Sequence, residues 1–384
     1  MPPLPRVVLY GGHVLDPASG LDEDLNVIIQ EGKIKALTGE PYTPQFMDNA
    51  VDVTGCIVTP GLLDHHCHLY PLAEEIGLPG EAVLFSNGVT SAVDAGSSGT
   101  ANYLVRRALR ENTLLTFKSY LHVSALGLTA EDPDPAHFDY AALKDAFDRY
   151  GNELMGLKLR ISRDIVKELG FAPLRAAVEL AGRLGVLVMV HPTDPPGEME
   201  ELLSILRPGD VCTHMYMDIG SSILDEKGRV KDCVWKARER GVLFEAADAQ
   251  AHFGFSVAAP AIRQGFLPDF ISTDGTRKSM LKRPTTFSLA MQLARYEALG
   301  IPFREVLRRC TVNTARHMGL EKGEGTIAVG GAADIAVFRR HEREVLFGDR
   351  PLLTPEQKTL TGHTVYEPVV TVKSGMIVYR NILY

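Results

Sequence analysis

No two cysteines in this chain are spaced as Cys-x-x-Cys, and the five present (Cys56, Cys67, Cys212, Cys233 and Cys310) are odd in number. That excludes an all-cysteine zinc site and offers no disulfide framework, which suits a reducing compartment. No Gly-x-Gly-x-x-Gly turn follows an early strand-like run, which counts against an open dinucleotide-binding sheet. No basic run stands out, and a formal charge of -8 argues against a nucleic-acid partner. No apolar run approaches the length of a membrane span, and the opening "MPPLPRVVLYGG" has no apolar core of a signal peptide. The expectation is a soluble, cytoplasmic globular protein with no membrane partner. Internal repeats and low-complexity segments are also missing.

With 384 residues, 45% of them hydrophobic, the chain can bury one large barrel or two domains. It opens with short, β-branched, glycine-punctuated runs: "RVVLYGGHVLD", "DLNVIIQEGKIKAL" and "AVDVTGCIVTPG". From residue 60 the rhythm changes. Eight apolar strand-like runs ("GLLDHHCH", "SAVDAG", "LTFKSYLHVSALGL", "LMGLKLRIS", "VLVMVH", "DVCTH", "VLFEAADA" and "DFISTDG") are separated by helical patterns near 100–111, 139–150, 172–184, 232–241 and 257–264. Two further helices are expected near 286–299 and 303–318. Eight strand–helix units predict an α/β fold of the (β/α)8 TIM-barrel kind, over residues 60–321. Strand rhythm returns in "EGTIAVGGAADIAVFRR" and "VVTVKSGMIVYR". Residues 1–59 and 322–384 are therefore expected to form one small β-sandwich beside the barrel.

Barrel active sites lie where strands end at the C-terminal face. The first run ends in His66 and His68, the fourth carries Lys158, the fifth ends in His191, the sixth in His214 and the eighth in Asp274. Side chains alternate along a strand, so His66 and His68 share a face. If that face is the barrel axis, His65 and Cys67 point outward to the helices. By the same alternation Cys212 shares the inward parity of His214 and reads as a small barrel filler. Imidazole and carboxylate donors suit a zinc-type ion. Lys158 lies in an apolar strand, where an unpaired ammonium is costly. A Schiff-base lysine, a salt-bridged core lysine and a lysine carbamate formed with carbon dioxide are the three readings. Only the carbamate accounts for the four histidines and the aspartate around it.

With these residues in place the chain resembles the amidohydrolase superfamily. The resemblance rests on "PGLLDHHCH" (60–68), Lys158, "VMVHPTD" (188–194), "CTH" (212–214), "STDG" (272–275) and the ending "TVNTARHMGLEKGEGTIAVGGAADIAVF", with Thr314 where proline is common. "GVTSAVDAGSSG", "LKLRISRDIV", "HPTDPP" and "GDVCTHMYM" are similar to its amidohydrolase/deacetylase group, the dihydroorotase-like enzymes that deacylate N-acyl amino acids or cleave acetyl esters of 2-hydroxy acids. The resemblance implies two divalent metal ions, zinc first, with manganese, cobalt and iron as alternatives. His66, His68 and Asp274 would hold one and His191 and His214 the other. A carbon dioxide-derived carbamate on Lys158 and a hydroxide would bridge them. Asp274 would also be the catalytic acid and base. Relatives that have become non-enzymatic have typically lost such ligands, and here all six are present.

Three residues are candidates for substrate binding. Arg160, two beyond Lys158, faces the same interior and could clamp a carboxylate, or pair with Asp94. Tyr70 could hydrogen-bond the substrate carbonyl or simply pack at the rim. It also stands where true dihydroorotases carry arginine, in a His-x-His-x-Arg run, which moves the expectation from ring opening to deacylation. His252 lies just past the seventh run, where the deacetylase group has a His-Gly run, and reads as a substrate-side residue. His122 reads as core or as a support for the site, and "SSG" (97–99) as a turn. His13, His137, His317, His341 and His363 join no constellation. The expected partner is thus a small, carboxylate-bearing substrate. A cyclic-amide hydrolase is the alternative, and the sequence is also compatible with a homo-oligomer.

Overall fold

The structure, a computed structural model, describes residues 6–384 apart from 72–75, 250, 283–287, 321–322 and 351–356. The expected domain boundary at 321/322 lies outside the described residues. Two eight-stranded sheets form the framework. The first five strands, β1 (Val7–Leu15), β2 (Asp22–Gln30), β3 (Lys33–Thr38), β4 (Asn49–Asp52) and β5 (Ile57–Pro60), join three from the other end of the chain. Those are β14 (Ile335–Gly348), β15 (Thr359–Lys373) and β16 (Met376–Arg380). Hydrogen bonds run through them in the order β16-β15-β14-β5-β1-β2-β3, with β4 also against β1. The sheet curls around its own apolar core of Val7, Leu9, Val27, Ile29, Val58, Ile335 and Val370. Gly11 makes the bulge in β1 possible: its φ is +77°, and a Cβ there would stand 2.4 Å from Thr54 Oγ1.

The second sheet is the barrel. Its strands are β6 (Leu62–Cys67), β7 (Val89–Ala95), β8 (Thr116–His122), β9 (Leu154–Arg160), β10 (Leu187–His191), β11 (Val211–Cys212), β12 (Leu243–Ala247) and β13 (Phe270–Ser272). All are parallel and paired in chain order. The ring closes where Asp274 N donates to His66 O (2.8 Å) and His68 N to Gly275 O (3.0 Å). Helices at Tyr103–Glu111, Tyr140–Tyr150, Ala172–Leu184, Asp232–Glu239, Phe255–Arg263 and Leu289–Ala298 match the expected segments within a few residues. The segment expected as one helix over 303–318 is two, Phe303–Arg309 and Val312–His317. It breaks at Thr311, whose φ of -134° and ψ of -99° are not helical.

Alternation along the strands sorts the barrel into two layers. Leu63, Val93, Tyr120, Met189, Val211 and Phe270 fill the axis, and Ala315 and Met318 close it from below. Leu62, Cys67, Leu121, Leu157, Val190, Cys212 and Ile271 face the helices. Each fully buried large aliphatic side chain in these layers contributes about 1.5–3 kcal/mol. Cys67 is outward, as its parity predicts. Cys212 is also outward, which corrects the inward assignment: its neighbour Val211 is the one in the axis. His214 still reaches the axis, because β11 ends at Cys212 and His214 takes a left-handed φ of 52° that reverses the alternation.

Candidate metal centre and active site

Six side chains that could ligate a metal meet at the C-terminal rim in two groups. The donor atoms of His66, His68 and Asp274 lie within 4.8 Å of one another, as do those of His191, His214 and His252. Asp274 Oδ1 is 3.0 Å from His68 Nε2 and 3.5 Å from His66 Nε2. Asp274 Oδ2 faces His252 Nε2 at 3.7 Å, so this carboxylate spans both groups. Lys158 Nζ stands 3.3 Å from His66 Nε2. Two of these residues carry backbone strain, since Asp274 (φ 48°) and His214 (φ 52°) are both left-handed without being glycine.

The hydrogen-bond pattern fits a metal. His66 Nδ1 is bonded to Glu245 Oε2 (2.8 Å), His68 Nδ1 to Ser97 Oγ (3.0 Å), His214 Nδ1 to Ala247 O (2.6 Å) and His252 Nδ1 to Thr193 Oγ1 (2.9 Å). All four rings therefore present Nε2 to the centre. A carbonyl can only accept, so His214 Nδ1 carries the proton and Nε2 a lone pair. That Nε2 is buried and has no hydrogen-bond partner, an arrangement that is costly unless something electron-poor binds there. Gly96 completes the seat of Lys158: at φ +82°, a Cβ would come within 2.4 Å of Lys158 Cγ.

Electrostatics point the same way. Burial holds His191 and His214 well below the ordinary histidine range, lowers His66, and takes His252 to about 4, so all four are neutral donors at neutral pH. Burial also lowers Lys158 to about 8, which leaves an appreciable fraction of free amine. Burial works against ionisation of Asp274, but the nearby His66 and the hydrogen bond from His68 outweigh it and hold the carboxyl far below its usual range.

The structure brings His66, His68, Lys158, His191, His214, His252 and Asp274 together. Tyr70 is buried two residues past His68. Arg160 is paired, but not with Asp94: its Nε and Nη2 both bond Glu131 Oε2, and Asp94 is held by the buried Arg106 at 3.3 Å. His122 donates from Nε2 to Glu131 Oε1 (3.1 Å) while its Nδ1 accepts from Ser124 N, so it supports the Arg160 pair. His65 departs from expectation. It shares the inward parity of Leu63, and the extra residue of a bulge between Asp64 and Cys67 lets His66 face inward as well; His65 stacks on Phe270 (4.0 Å between centroids) beneath the metal groups. Its Nδ1 bonds Glu245 Oε1 (2.5 Å), so one carboxylate holds both histidines.

Glu245 and Ser97 are the supporting residues that the sequence reading missed. A lone glutamate inside the apolar run "VLFEAADA" was the available signal for the first, because an unpaired carboxylate is seldom buried there. The second had none, since a serine in a glycine-rich turn is ordinary. His317, assigned to no group, lies under His65 and bonds Tyr120 Oη through Nε2 (2.9 Å).

Comparison with known proteins gives a concordant picture. Residues 57–379 match the model of the Amidohydrolase family. The protein named Deacetylase Atu3266 of Agrobacterium fabrum is 31% identical over 315 residues, covering 80% of this chain and 76% of the relative. A dihydroorotase of Aquifex aeolicus is 22% identical over 98% of this chain and all of the relative. A crystal structure of a dihydroorotase superposes with a TM-score of 0.87 at 27% identity, covering 98% of each chain.

Proposed function

The chain belongs to the amidohydrolase family, as a metal-dependent hydrolase of carbon–nitrogen bonds, and from that premise we propose that it deacylates a small N-acyl amino acid or, by the same chemistry, an acylated 2-hydroxy acid. The observation that carries this reading is the pair of candidate ligand groups joined by Asp274, with Lys158 Nζ 3.3 Å from His66 Nε2. The deacetylase relatives at about 30% identity support an acyl-transfer-to-water reaction.

His66, His68 and Asp274 would hold one divalent ion and His191 and His214 the other, with zinc the first candidate; when bound, such ions polarise a carbonyl and make water acidic enough to ionise near neutral pH. Lys158 takes part as its carbamate. The ammonium first gives up one proton; the free amine then adds carbon dioxide, a C–N bond forms and a second proton leaves, so two protons go to solvent as the cation becomes an anion among the imidazoles. Asp274 is the proton carrier. Its strained backbone fixes the carboxylate between both groups, where it takes the proton of the attacking water and returns it to the leaving nitrogen or oxygen. Arg160 binds the substrate carboxylate through Nη1, the guanidinium nitrogen outside its bonds to Glu131. Tyr70 donates to the carbonyl oxygen as charge develops there.

Cyclic-amide hydrolysis is the second reading, favoured by the likeness to the dihydroorotase structure. A panel of N-acetyl amino acids of both hands, acetylated 2-hydroxy acids, dihydroorotate and hydantoins, assayed on metal-replete protein, tests the two. Deacylation is expected to dominate. Turnover confined to the ring substrates would refute it.

A further inference from the structure

We propose that His252 is a ligand of the second ion, so that three histidines hold it. This rests on the two-ion reading above and revises the substrate-side role expected for His252. The ring lies 4.7 Å from that of His191 and 4.4 Å from that of His214, centroid to centroid. The three donor nitrogens fall within 4.8 Å of one another. Around a zinc-type ion with bonds of about 2.0–2.1 Å, tetrahedral nitrogens sit roughly 3.3 Å apart. Closure therefore asks for movements of about an ångström, within the reach of a side-chain rotation.

The supporting bonds are those of a ligand. Thr193 Oγ1 holds His252 Nδ1 at 2.9 Å. When the hydroxyl accepts, Nδ1 keeps the proton and Nε2 offers its lone pair to the cluster. Thr193 lies two residues past His191, so one loop supplies a ligand and orients another. His252 N also bonds Asp248 O (3.3 Å), and Arg350 Nη1 holds Phe253 O (2.6 Å), which anchors the backbone on both sides of the ring. With three neutral imidazoles, the second site depends less on the Lys158 carbamate than a two-histidine site would.

The test is metal titration of the full chain with zinc against a chromophoric chelator, alongside the visible absorption of the cobalt(II)-loaded protein. Wild type is expected to bind two equivalents. His252→Asn is expected to weaken the second equivalent by more than about 100-fold, beyond the range for loss of an outer partner, and Thr193→Ala by about 10–100-fold. The cobalt(II) band of the second site should change intensity in both. Two equivalents at wild-type affinity in both variants, with only KM altered, would overturn the assignment and return His252 to the substrate side. If His252→Asn lost its fold by circular dichroism, Thr193→Ala would decide. A wild type that binds fewer than two equivalents would instead strike at the two-ion reading itself.

Discussion

Replacing Glu245 by glutamine should damage the metal site without touching a metal ligand. Its carboxylate is fully buried and accepts three hydrogen bonds, from His65 Nδ1 (2.5 Å), His66 Nδ1 (2.8 Å) and Ser272 Oγ (2.9 Å). An amide keeps the shape but turns one oxygen into a donor, which then faces an imidazole N–H. A buried hydrogen bond to a charged group contributes about 1.5–3 kcal/mol. The variant should therefore lose about 2–3 kcal/mol and melt a few degrees lower. His66 also loses the bond that fixes its tautomer, and such losses weaken metal binding by about 10–100-fold. Thermal melting of the metal-free protein reads the first effect and chelator competition the second. Ser272→Ala, which removes only the neutral bond, should cost about 1 kcal/mol. Glu245→Gln protein with wild-type melting and metal affinity within twofold would refute the reasoning.

Arg160→Ala should raise KM for carboxylate-bearing substrates about tenfold or more, and unchanged kcat/KM on every such substrate would remove the clamp. Glu131 is nine-tenths shielded; burial opposes its ionisation, but the hydrogen bond from His122 and the Arg160 pair outweigh this and lower it from 4.5 to about 2. A depressed carboxylate stabilises the fold in full above its unfolded value, and the contribution of about 3 kcal/mol is lost as pH falls from about 5 to about 2. Glu131→Gln should accordingly flatten the acid limb of a stability–pH curve, and an unchanged limb would contradict this. Gly96→Ala should displace Lys158 and strain a left-handed backbone position, abolishing any carbon-13 carbamate signal after labelling with bicarbonate. A retained signal would show that the lysine has room to spare.

Much of this site was legible because strand period and ligand chemistry coincide. His66 and His68 are two residues apart at the end of one strand, and His191 ends another, so their shared parity groups them at the rim. Parity failed where the backbone left the ideal strand. The bulge before Cys67 lets His65 and His66 both face inward, so His65 cannot be assigned outward from His66, and the left-handed turn at His214 inverts the assignment of Cys212. Partner choice was invisible for a different reason. That Arg160 pairs with Glu131 and not Asp94, and that Glu245 spans two histidines, depend on distances across the barrel that one-dimensional periodicity does not encode. His252 sits on a loop, and its approach to His191 and His214 follows from packing that loop geometry sets.

Metal content is the most direct measure of the central claim, that residues from distant strands converge to hold two divalent ions. Protein loaded with zinc, dialysed and analysed by elemental mass spectrometry should contain two equivalents per chain, falling to one or fewer in the His66→Ala/His68→Ala double variant. Fewer than two equivalents in the wild-type protein would contradict the account.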